Sequence, residues 1–68
     1  MQYIITAIDP AEGVVRYLTR DGFKLNAMLA IRFRSERAAQ KRSEQSVVCR
    51  SMQQAGARIE VRRVASAA

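Results

Sequence analysis

Histidine and tryptophan are absent from this sequence, and it holds one cysteine and one proline. Without histidine the commonest general base is missing, and Cys49 has no imidazole to activate it. One cysteine makes no internal disulfide, and no Cys/His set exists to hold a metal. The three glycines, Gly13, Gly22 and Gly56, stand far apart, so there is no Gly-rich phosphate loop. No apolar run approaches the roughly 20 residues needed to cross a bilayer. No basic stretch leading into an apolar one opens the sequence. The acids, Asp9, Glu12, Asp21, Glu36, Glu44 and Glu60, fall at turns or on polar faces without an obvious pairing. These absences set the expectations: no enzyme, no cofactor, no metal, no membrane contact and a cytoplasmic location, which a lone thiol suits.

What remains is small and basic. The 68 residues allow one domain, 1–68, of a size that is marginally stable alone. Apolar residues make up 49%, but alanine inflates that share, and the aromatics are only Tyr3, Tyr17, Phe23 and Phe33. Stability must therefore come from one compact core, helped or not by self-association. The net charge is +6 and lies entirely in one part of the chain. Up to Ile31, Arg16, Arg20 and Lys24 balance Asp9, Glu12 and Asp21. From Arg32 onward nine basic side chains face only Glu36, Glu44 and Glu60. Such a skew favours an anionic partner surface.

Residues 2–8, "QYIITAI", are β-branched and aromatic and read as a strand. "DPAEG" supplies a turn, and "VVRYLTR" (14–20) a second strand, antiparallel to the first across so short a connection. "DG" at Asp21–Gly22 marks a tight turn. From Phe23 to Phe33 every odd position is apolar, a period of two that predicts an extended segment, whole or broken near Asn26, with Leu25, Ala27, Leu29 and Ile31 facing inward. Ser35 is a good N-cap residue with Glu36 in the first turn. Between Glu36 and Ala55 there is no glycine or proline. That predicts one helix with Ala38, Gln45, Val48, Cys49, Met52 and Ala55 on its inner side, ended by Gly56. Cys49 reads there as a small core residue. "RIEVRRV" (58–64) returns as a strand, with Ile59 and Val61 inward and Arg58, Glu60 and Arg62 outward. Residues 65–68 read as a frayed tail. The expected fold is α+β: a two-layer sandwich in which an antiparallel sheet of three to four strands (β-β-β-α-β) packs on one helix.

The candidate binding residues are Arg32 and Arg34 on the extended segment, Arg58, Arg62 and Arg63 on the last strand, and Arg37 and Lys41 on the helix. Arginine presents a planar fork suited to bidentate contact with phosphate or carboxylate. If the segment holding Arg32 and Arg34 neighbours the last strand, four arginines share one exposed sheet face. A polar outer face of a half-buried sheet would also be charged with no partner at all. The stretch "GFKLNAMLAIRFRSERAAQKR" resembles DNA-reading domains at the amino terminus of integrases, where three strands precede a helix and sheet arginines enter the major groove. The strand after the helix departs from that pattern.

Taken as a whole, "MQYIITAIDP", "RFRSERAAQ" and "RIEVRRV" in this order resemble small phage and mobile-element proteins, among them anti-CRISPR inhibitors with one-helix α+β layouts. That resemblance implies a non-catalytic inhibitor acting in the host cytoplasm. Many such inhibitors are acidic DNA mimics, and a basic chain does not share that mechanism. It would instead cover an acidic protein surface or a ribonucleoprotein complex. Two other readings stand beside it: direct binding of DNA or RNA through the sheet arginines, and a structural or assembly subunit acting as a homodimer.

Overall fold

The computed structural model describes residues 1–65. Four strands, β1 (Gln2–Ile8), β2 (Val15–Thr19), β3 (Gly22–Lys24) and β4 (Arg58–Val64), form one antiparallel sheet in the order β3-β2-β1-β4. Two helices, α1 (Glu36–Gln45) and α2 (Val47–Gln54), pack on one face of it. The expected α+β sandwich is present, with two helices where the sequence suggested one. Ala65 follows β4; the rest of the expected tail lies outside the described residues.

β1 is the central strand, and its composition says why. "IITA" is buried throughout, which suits a strand covered on both faces. One face carries Ile5, which joins Leu18, Ala39 and Cys49 in the core, with Tyr3, Phe23, Ile31, Phe33, Ile59 and Val61 packed around them. The turn into β2 is held by the Asp9 carboxylate, which accepts from the Ala11 N–H at 2.9 Å. β2 returns to β3 through Arg20 and Asp21, where the Thr19 hydroxyl donates to the Gly22 carbonyl at 2.7 Å.

The alternating segment from Phe23 to Phe33 is broken near Asn26, the second of the two expected forms. Pairing stops at Lys24, and the Asn26 side chain accepts from the Met28 N–H at 2.9 Å. This turns the chain through a single 3-10 turn, Ala27–Leu29. Short polar side chains offer the backbone this alternative to a ladder. Leu25, Ala27 and Leu29 consequently lie exposed, against the expectation, while Ile31 and Phe33 do pack on the core. The chain there enters the gap where β2 diverges from β1. The Ile31 N–H donates to the Leu18 carbonyl at 2.9 Å, and Phe33 and Tyr3 exchange two backbone hydrogen bonds of 2.9 and 2.8 Å.

The single expected helix is broken at Ser46. That residue ends α1, its N–H donating to the Arg42 carbonyl, and begins α2, its hydroxyl accepting from the Cys49 N–H. The break lets both helices lie on the sheet, α1 against β1 and β4 and α2 against β4. It also shifts the inner stripe. Ala39, not Ala38, is buried on α1, and Cys49 on α2; Met52 is half-buried, and Gln45, Val48 and Ala55 are exposed. Gly56 ends α2 at φ +98°. Its N–H donates to the Gln53 carbonyl and the Ala57 N–H to the Met52 carbonyl, the paired bonds of a Schellman end.

A candidate docking surface

The register of the sheet decides where each basic side chain lies, because opposed residues of an antiparallel pair share a face and successive residues alternate. On β1, Tyr3, Ile5 and Ala7 take the helix side, so Gln2, Ile4, Thr6 and Ile8 take the helix-free side. Ile4 opposes Arg62 and Ile8 opposes Arg58. On the other flank, the Tyr3–Phe33 pair sets Arg32 beside Ile4 and Arg34 beside Gln2. Arg32, Arg34, Arg58 and Arg62 therefore share the helix-free face. The stretches that carry them are not neighbours: β1 lies between, and the Arg32 and Arg62 backbones stand about 10 Å apart, two strand spacings.

Ile4 and Thr6 are buried although both helices are on the opposite side. Each has a long side chain on either flank: Arg32 and Arg62 beside Ile4, Tyr17 and Glu60 beside Thr6. Methylene stems and an aromatic ring lying across a central strand keep water off it while their polar ends remain outside. Arg32 is steered along the face by Gln2, its Nη1 donating to Oε1 at 3.0 Å. The face is not uniformly positive. Glu60 stands between Arg58 and Arg62 and pairs with both at 3.5 Å. Long, exposed pairs of this kind hold side chains loosely and contribute little to stability.

The remaining candidates lie elsewhere. Arg37 and Lys41 are exposed on α1, and Arg63 opposes Tyr3 on the helix-bearing side, exposed at the end of β4. The seven basic residues thus form two surfaces divided by the sheet.

Sequence reasoning missed an apolar element next to the first surface. Leu25, Met28 and Leu29 are 66%, 87% and 58% exposed. With the basic Arg20, Lys24 and Arg32 and the acidic Asp21 beside them, Met28 and Leu29 line an open groove of about 540 Å³. Lys24 opposes Tyr17, so it belongs to the helix-free face, and the groove continues that face past its β2–β3 end. The signal that could have found it was Asn26, the residue that takes Leu25 and Leu29 out of a strand.

Among the described residues no group of three His, Cys, Asp or Glu side chains could hold a metal ion, and no helix is long and apolar enough to cross a membrane. No protein-family model matches the chain, and comparison with curated proteins and with solved structures finds no match.

Proposed function

We propose that this is a non-catalytic binding protein that docks through its helix-free sheet face and the adjoining groove onto an anionic surface of a protein or ribonucleoprotein complex. One observation carries the reading: exposed Met28 and Leu29 beside Arg20, Lys24 and Arg32 on the same groove. Interface cores are enriched in Met, aromatic and Arg side chains, and a few buried anchors, Arg among them, carry most of the binding energy. An apolar lip of this sort has little to do against a phosphate backbone. Glu60 in the middle of the arginine face points the same way, since an acid there repels phosphate and suits a partner of mixed charge. An inhibitor of the anti-CRISPR kind would act in this manner, occluding an effector complex by occupying its surface.

The test is capture of candidate effector complexes by the wild-type protein and by Met28→Asp and Arg32→Glu variants. The expected result is retention by the wild type and at least a tenfold loss for either variant, the scale of one interface anchor. Capture by none of the three, or equally by all, defeats the reading.

Direct binding of nucleic acid is the second reading, favoured by the four arginines on one face. It requires mobility shift of DNA or RNA at ~150 mM salt, where charges more than about 8 Å apart are screened, with loss of the shift on Arg32→Ala plus Arg34→Ala.

A further inference from the structure

β4 is a sheet edge. It pairs with β1 over all seven of its residues, from Arg58 opposite Ile8 to Val64 opposite Gln2. Among the described residues nothing pairs with its other side. Such an edge presents a row of unpaired N–H and C=O groups and invites another strand. Natural edges are blunted by proline, by bulges, by charged side chains or by a covering element. β4 has no proline and its register with β1 is unbroken; it does carry charge, but on the helix-free face the signs alternate, Arg58, Glu60, Arg62, so that a second copy can complement them, and Arg63 alone is charged on the helix side.

We propose that β4 pairs antiparallel with β4 of a second copy of this chain, about a two-fold axis through Val61, to make a continuous eight-stranded sheet. A two-fold axis perpendicular to the sheet keeps the faces aligned, so a residue must oppose one of its own parity. Val61 is the midpoint of Arg58–Val64, and centring there lays all seven residues against all seven. Glu60 then opposes Arg62 of the second copy, and Arg62 opposes its Glu60. Opposite charges directly across a pair stabilise it, and like charges destabilise it. The neighbouring registers fail on this count. Centring on Glu60 sets Glu60 against Glu60 and Arg58 against Arg62, and centring on Arg62 sets Arg62 against Arg62. Centring on Ile59 restores Arg58 to Glu60 but pairs only three residues of each strand.

The helix side of β4 agrees. Ile59 and Val61 face the helices yet remain only partly buried, because they border an open groove between the helices and the edge that Glu44 also lines. The Val61 register covers this groove. It sets Val61 against Val61 and brings Arg63 of the second copy opposite Ile59, at the side Glu44 occupies. The same axis turns both helix-free faces to one side, so the arginine surface of the preceding section is doubled. The inference does not depend on that docking reading, because its test needs no other partner.

Sedimentation of the purified chain from about 1 to about 200 μM, a range spanning typical weak-dimer dissociation constants, reads the oligomeric state. The wild type is expected to dimerise. Glu60→Arg, which sets arginine against Arg62 at both symmetric pairs, and Arg62→Glu, which sets acid against Glu60 at both, are each expected to weaken the dimer at least tenfold. The double exchange Glu60→Arg with Arg62→Glu restores the pairs and the dimer. Circular dichroism of each variant separates loss of pairing from loss of fold. Register is read independently by mild oxidation: Val61→Cys is expected to give a disulfide-linked dimer and Arg63→Cys, facing Ile59, is not. A wild type that stays monomeric throughout, a double exchange that fails to re-pair while folded, or faster crosslinking at 63 than at 61 overturns the proposal.

Discussion

Ala38 and Ala39 are the same residue one position apart, and the fold treats them oppositely. Ala39 is completely buried under α1 against the sheet, while Ala38 is exposed. The inner stripe expected from the sequence includes Ala38 because it runs along one uninterrupted helix down to Ala55. With the break at Ser46, α1 takes its own phase, and the small side chain of Ala39 lets the helix lie close. Enlarging it forces side chains off their rotamers or moves the helix away. Ala39→Leu is therefore expected to cost about 1–3 kcal/mol in urea unfolding, although it makes the helix more apolar. Ala38→Leu is expected to stay within about 0.5 kcal/mol of wild type. Equal effects at the two positions would contradict the observed phase.

At the scale of elements, the two long strands and the turns were legible and the middle of the chain was not. "QYIITAI" and "RIEVRRV" became β1 and β4 at the expected residues. Their composition favours strands, turn or cap residues bound them, and each is paired along its length. The segment from Phe23 to Phe33 alternates just as cleanly, yet only its ends obey the alternation. Periodicity records which residues can share a face, not whether a neighbouring strand is there to pair with. β2 is five residues long, and the local bond from Met28 to Asn26 wins where no ladder competes. Ser46 was opaque for a similar reason. Serine is tolerable inside a helix, and nothing in its own residue type says that Ser46 ends one helix and caps the next. The sign of one substitution distinguishes the two roles. Inside a continuous helix, Ser46→Ala would be mildly stabilising by propensity. At an N-cap, where the hydroxyl accepts from the Cys49 N–H, it is expected to cost about 1 kcal/mol, measurable as a lower urea midpoint with an unchanged slope.

At the scale of the whole molecule, the sequence shows the charge skew but not its division. The excess of +6 begins at Arg32, and the sheet then sends Arg32, Arg34, Arg58 and Arg62 to one side and Arg37, Lys41 and Arg63 to the other. Which side meets a partner depends on strand order and on the exposed lip at Met28, and neither is written in the periodicity. The split has a consequence for non-specific binding. A basic protein of any shape holds duplex DNA at low salt by releasing counterions, with a slope of log affinity against log salt of about −0.9 for each phosphate neutralised. If the helix-free face supplies four contacts, raising salt from about 50 to about 200 mM lowers affinity roughly 100-fold. Arg32→Ala with Arg34→Ala should halve the slope, whereas Arg37→Ala with Lys41→Ala should leave it unchanged. Filter binding across that range measures both. A slope that falls equally with either pair would mean that the two surfaces act as one diffuse positive charge, and the reading of the helix-free arginines as a nucleic-acid site would lose its basis.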